Sequence, residues 1–161
     1  MRNPLKQFVP SSVCLKCEGC CRFNLSDSPW RPKSGQLERI EKTDNQGYLT
    51  TKANEGKHQC VYFESKDNSC QIYANRPFEC ALYPFILSKT TNAVEVYVHL
   101  ACPYVQEKEL VREFDDYVTY LKETLNNQEF LEFINKNSRM LHDYSSFIRE
   151  LKYLFDLKLS L

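Results

Sequence analysis

Four cysteines stand within eight residues, CLKCEGCC at positions 14–21. Packing alone gives no reason to concentrate thiols so densely; such a cluster is there for ligation or cross-linking. Two residues between cysteines let a tight turn aim both sulfurs at one ion, the spacing of zinc knuckles and iron–sulfur loops. The run C-x-x-C-x-x-C-C supplies Cys14, Cys17, Cys20 and Cys21. Four more follow: Cys60, Cys70 and Cys80 at C-x9-C-x9-C, then Cys102 directly before Pro103. Three cysteines at x2 spacing with a fourth from far away is a common way to wrap a 4Fe–4S cluster.

The adjacent pair Cys20 and Cys21 limits how the eight can be shared. Neighbouring side chains diverge, so both on one mononuclear ion would strain the backbone, and a disulfide between them would be strained too. Either the two serve different centres or one of them does not ligate. On the first reading Cys14, Cys17 and Cys20 join one distant cysteine, the set expected for a 4Fe–4S cluster. Cys21 joins the remaining three, around a cluster or a closed structural zinc.

Composition sets the surroundings. The 161 residues fit one domain, and 21 Lys+Arg against 21 Asp+Glu leave no charge excess to attract nucleic acid or an anionic membrane. Four glycines and no G-x-G-x-x-G or G-x-x-x-x-G-K-[ST] give no phosphate cradle. MRNPLKQFVPSSVC offers no signal-peptide core, and no apolar run is long enough to span a bilayer. The expected compartment is the cytoplasm, where thiols stay reduced and dense cysteines hold metal rather than disulfides. No Ser/His/Asp set is recognisable, so the catalytic residues and the reaction itself are left open.

The pattern along the chain predicts an α+β fold: a small cysteine-rich metal-binding part at 14–104, made of short β-hairpins and loops, packed on a C-terminal helical scaffold at 105–161, all in one domain. CVYFES and CQIYA flank the turn KDNS as one hairpin. Pro77 marks a helix start. FILS and AVEVYVHL form a second hairpin, with Val94, Val96, Val98 and Leu100 on its apolar face. A short helix is expected after Ser34, bearing Leu37 and Ile40, and a short strand near 48–51. Beyond Tyr104, Leu110, Val111, Phe114, Val118, Leu121 and Leu125 form a helical stripe; Phe130 to Ile134 suggest a second helix and Met140 to Phe155 a third. His58 is a candidate substitute ligand beside Cys60. His99 is expected to be partly exposed on the polar face of its strand, and His142 to face solvent. Arg76 suits thiolates or loop carbonyls, or else a surface ion pair.

CLKCEGCC, CVYF, SCQIYANRPFECALYP and ACP together resemble the YkgJ-type cysteine-cluster family, a zinc- or iron-chelating domain whose module the flagellin lysine N-methylases share. The likeness covers about 14–104. It implies that Cys14, Cys17, Cys20, Cys21, Cys60, Cys70, Cys80 and Cys102 are the metal ligands, with Tyr73, Arg76 and Pro77 as motif positions. Many members carry Arg directly after the third late cysteine, where this chain has Ala81. The resemblance implies metal ions as partners and an iron–sulfur cluster or zinc as cofactor. It does not extend to methylase activity: no S-adenosylmethionine motif is evident, and the radical C-x3-C-x2-C is absent. Three functions follow: an iron–sulfur protein in redox chemistry or protein modification, acting on a protein substrate or partner; a non-catalytic zinc module that presents a surface; or a metal-delivery protein.

Overall fold

The computed structural model describes residues 5–17 and 21–159. Cys20 lies outside the described residues. Helices and small antiparallel sheets alternate along the chain, an α+β fold as the sequence pattern predicts.

A short helix α1 (Ser11–Cys14) delivers the first cysteine, and β1 (Arg22–Phe23) follows Cys21 directly. Strands β2 (Thr51–Asn54) and β3 (Lys57–Cys60) form a hairpin, and β1 pairs on the other side of β3. The sequence reading placed loop here, with a strand only near 48–51. Tyr48 and Leu49 make isolated bridges to Lys33 and Thr43, and the strand itself begins at Thr51. The hairpin turns at Glu55 and Gly56, both at positive φ (49° and 79°), a two-residue turn whose twist matches the strands. Strands β4 (Phe63–Glu64) and β5 (Ser69–Cys70) form the expected CVYFES/CQIYA hairpin, with Asn68 in the left-handed region that Asn tolerates. A 3-10 turn (Tyr73–Asn75) leads to Pro77 and α2 (Phe78–Leu82), where Glu38 accepts the Phe78 N–H at 2.6 Å.

No helix follows Ser34. The segment runs as turns, with Leu37 exposed and Ile40 packed beside the cysteines. Gly35 explains the tightness: a Cβ there would meet Asn137 Oδ1 at 2.4 Å. That oxygen accepts the Leu37 N–H at 2.9 Å, so a buried amide stitches this loop to the helices.

The central sheet is β6 (Phe85–Lys89), β7 (Val94–His99) and β8 (Leu151–Asp156), in order β6-β7-β8. Val94, Val96 and Val98 are buried against α3 (Pro103–Lys108), α4 (Arg112–Leu125) and α5 (Gln128–Lys136), through Val105, Phe114, Leu121, Leu125, Phe130 and Ile134. The helices are signposted locally. Pro103 opens α3, Glu113 and Asp115 occupy the first turn of α4, and Asn127 caps α5 by accepting the Phe130 N–H. Leu110 falls in the gap between α3 and α4 and is 91% exposed, so the apolar stripe starts after it.

The third helix expected over Met140 to Phe155 does not form. That segment makes two 3-10 turns (Ser138–Met140 and Ser145–Glu150) and then β8. Leu151, Leu154 and Phe155 fit a helical period, but Leu151 and Phe155 also fit alternation. β7 decides, because its second edge would otherwise leave peptide groups unpaired. β8 also brings Leu151 and the preceding turn against the second sheet face, where Ile86, Tyr97 and Tyr144 are buried with Trp30 and Phe147 packed on them. That cover buries His99, which is only 6% exposed rather than on an open polar face. His142 is half-buried, its Nδ1 2.7 Å from the Tyr48 hydroxyl, rather than facing solvent.

Candidate metal centre

Seven of the eight predicted cysteines lie among the described residues, and they fall into two groups around two cavities. Cys14, Cys21, Cys60, Cys70 and Cys80 line a cavity of about 80 Å³. Cys14, Cys17 and Cys102 line a wider chamber of about 530 Å³.

The first group is built by strand ends. Cys60 ends β3 and Cys70 ends β5, and the β4–β5 register sets Cys70 opposite Phe63. Cys21 is brought in from the N-terminal side: the Cys60 N–H donates to the Cys21 carbonyl at 2.8 Å. Cys80 sits in α2, whose start Pro77 and Glu38 fix. Leu49, Tyr62 and Phe63 pack beside these sulfurs. In the second group Cys14 ends α1 and Cys102 immediately precedes Pro103 at the start of α3. The Cys17 N–H donates to the Cys14 carbonyl at 3.2 Å, the tight turn expected of C-x-x-C.

Electrostatics couple the sulfurs within each cavity, with Cys14 coupled to both Cys70 and Cys102. Burial pushes the Cys60 thiol up to about 11, Cys21 and Cys70 add to the rise, and the peptide N–H groups of Tyr62 and Phe63 offset part of it. Burial raises Cys80 well above the thiol range, reinforced by Cys21, Cys60, Glu79 and Cys70. Cys70 is raised by burial and by Cys21 and Cys14, against the Ile72 N–H and the Arg76 guanidinium. Cys102 is raised by burial and by Cys17 and Cys14, against the N–H groups of Val105 and Tyr104. Buried thiols whose pKa neighbouring thiols raise further are groups a cation would relieve, since a bound metal ion favours the thiolates that burial disfavours. Cys60, Cys70, Cys80 and Cys102 form no disulfide. Among the described residues no three Cys, His, Asp or Glu side chains stand close enough to clasp one ion as they are. The donor chemistry, five cysteines along one small cavity, is that of zinc or an iron–sulfur cluster.

Arg76 takes the loop-carbonyl role. It donates to the Tyr73 carbonyl and to Gln7 Oε1, both at 2.9 Å, and stacks on the Tyr73 ring at 3.9 Å. The Tyr73 hydroxyl also reaches Gln7 Oε1 and Ser11 Oγ. The two tyrosine-motif positions therefore tie the arm carrying Cys14 to the loop between Cys70 and Cys80. Tyr83 lines both cysteine cavities. His58 lines neither.

Sequence reasoning missed Glu79, the one carboxylate on the wall of the small cavity among the described residues. Burial pushes it up to about 8, against the peptide N–H and ammonium of Lys33 and with Glu38 adding to the rise. The signal was its place inside the motif stretch, directly before Cys80. Gln7 carried no signal, because a lone polar residue in an irregular arm matches no pattern.

Residues 13–103 match the family model CxxCxxCC, described as "Putative zinc- or iron-chelating domain". The chain belongs to the CxxCxxCC family. That match covers more than half of the sequence and every cysteine in it. No significant match was found among curated proteins or among solved structures. The CxxCxxCC membership carries zinc or iron chelation, and α4, α5 and β8 lie beyond the matched residues.

Proposed function

We propose that the chain holds two metal centres. Cys14, Cys17, Cys20 and Cys102 carry a 4Fe–4S cluster, and Cys21, Cys60, Cys70 and Cys80 carry a second, closed centre that takes structural zinc. The single observation behind this reading is that Cys21 meets the late set at one cavity while Cys17 and Cys102 meet at the other, with Cys14 on the wall of both. The wider chamber suits a cluster, and the small cavity suits one tetrahedral ion. Four thiolates on a dication leave a charge of −2, which Arg76 beside Cys70 partly balances. A cluster centre at a wider chamber beside a closed structural one supports redox chemistry or modification of a protein substrate, in a reducing compartment such as the cytoplasm. No helix among the described residues is long and apolar enough to cross a membrane.

Anaerobic purification followed by iron, zinc and acid-labile sulfide analysis tests the proposal. Equal iron and sulfide with a brown absorbance, and stoichiometric zinc, are the expected result. A colourless protein with zinc alone replaces it with a non-catalytic zinc-binding structural module. The depth and closure of the Cys60–Cys80 site favour that second reading for half of the ligands.

A further inference from the structure

The helix α2 carries Cys80 but cannot hold its own start. It is five residues long, too short to be stable alone, and its N-cap position is Pro77, whose side chain accepts no hydrogen bond from the helix. Glu38 supplies the acceptor from a loop 40 positions earlier in the chain. Its Oε1 accepts the Phe78 N–H at 2.6 Å, while its Oε2 accepts the Gly35 N–H at 2.7 Å. One carboxylate therefore spans the loop and the helix start. Glu79 returns the contact, its Oε2 accepting the Lys33 N–H at 2.5 Å. The loop at 33–38 and the start of α2 thus exchange carboxylate bonds in both directions.

That loop is fixed in turn by residues of the C-terminal part. Asn137 is fully buried, and its Oδ1 accepts the Leu37 N–H at 2.9 Å. Arg139 donates from Nε to the Ser34 carbonyl at 3.1 Å and from Nη2 to the Gly35 carbonyl at 3.2 Å. Burial raises the Glu38 carboxyl, and the Gly35 and Phe78 N–H groups, the Ser34 side chain and the Arg139 guanidinium oppose the rise. Asn137 and Arg139 both lie beyond residues 13–103, the stretch that the family model matches.

We propose that Glu38 is the positioning residue for Cys80, and that Arg139 acts on Cys80 through it. The proposal rests on Cys80 being a ligand at the small cavity. A helix turns by about 100° per residue, so a one-residue slip at the start of α2 swings the Cys80 side chain by that angle. Such a swing takes the sulfur away from Cys21, Cys60 and Cys70, which share the cavity wall with it. The carboxylate that sets where α2 begins therefore sets where this sulfur points, and a C-terminal arginine outside the matched stretch steadies that carboxylate.

The test measures zinc affinity of the full chain by chelator competition, and the alkylation rate of Cys80 by peptide mass mapping, beside urea unfolding. Glu38→Ala is expected to weaken zinc roughly tenfold or more, the usual scale for losing a group that orients a ligand, and to speed Cys80 alkylation by a similar factor. Glu38→Gln keeps an acceptor for Phe78 and sets a donor against the Gly35 N–H, so a severalfold effect is expected. Arg139→Gln should weaken zinc severalfold in the wild type and add nothing in the Glu38→Ala background. Phe155→Ala, a core change away from α2, should lower stability and leave both readouts where they were. Should Glu38→Ala fail to fold, Glu38→Gln and Arg139→Gln decide. The proposal is overturned by unchanged Cys80 alkylation in the Glu38 variants, by Phe155→Ala reproducing their effects, or by an Arg139→Gln effect that adds in full to Glu38→Ala. A chain that binds no zinc, in which the Glu38 variants still speed Cys80 alkylation, counts against the metal reading and supports the positioning.

Discussion

Cys60 donates its peptide N–H to the carbonyl of Cys21 at 2.8 Å. One backbone bond thus joins the last cysteine of CLKCEGCC to the end of β3, 39 positions later, and turns Cys21 toward Cys70 and Cys80. Cys17 and Cys102 line the wider chamber, and Cys14 lines both cavities.

The division predicts separable metal losses. Cys102→Ser removes the centre shared with Cys14 and Cys17 and leaves zinc in place, while Cys80→Ser removes the other and leaves iron and sulfide. Elemental analysis of both purified variants, with circular dichroism to establish folding, checks this. If either variant loses all metal while folded, the eight sulfurs belong to one shared centre.

The Arg76–Gln7–Tyr73 latch predicts a mixed effect. Arg76→Lys keeps the charge near Cys70 but loses the planar stack on Tyr73 and one of the two fixed donors. A stability loss of about 1 kcal/mol is expected, measured by urea unfolding. Release of metal to a chelator should accelerate from the centre containing Cys14, since the arm that carries it is held less firmly. Unchanged release would show that the latch serves stability alone.

Two buried groups predict an unusual pH profile for the metal-free, reduced protein. Glu79 is raised from 4.5 to about 8, so its contribution is full below pH 4.5 and is lost as pH rises toward 8. His99 is lowered from 6.5 to about 4, so its contribution is full above pH 6.5 and is lost as pH falls toward 4. Between pH 4.5 and 6.5 the unfolded chain gains one proton at His99 and loses one at Glu79, and the two slopes cancel. Wild-type stability should be flat there and fall from pH 6.5 to 8. Glu79→Gln should unmask a rise with pH between 4 and 6.5, at no more than about 1.4 kcal/mol per pH unit. Urea unfolding across this range checks it; a Glu79→Gln profile that stays flat would remove the assignment to His99.

The shared core predicts one folding unit. Phe78, Leu82, Phe85 and Cys102 pack in the same cluster as Phe114, Leu121, Ile134 and Phe155. Phe155→Ala should cost about 3–5 kcal/mol. Truncation after Tyr104 should aggregate, because it strips α4, α5 and β8 from the central sheet. A soluble, metal-loaded truncation product in size-exclusion chromatography would establish two domains instead.

By itself the sequence determined the cysteine chemistry, the two hairpins that present Cys70 and Val94 to Val98, and the helices α4 and α5. Each rests on a local rule: x2 thiol spacing, alternation about a polar turn, or a stripe at helical period. Only the tertiary structure decided three other things. Residues 151–156 became a strand because β7 had an edge to fill, where periodicity allowed either state. His99 became buried because Trp30 and the turn ending in Glu150 cover the sheet's second face, which the strand's own alternation marks as polar. Cys21 met the end of β3 because a backbone bond to Cys60 holds it there, and spacing states how far apart sulfurs are in sequence but not which distant strand end each will meet.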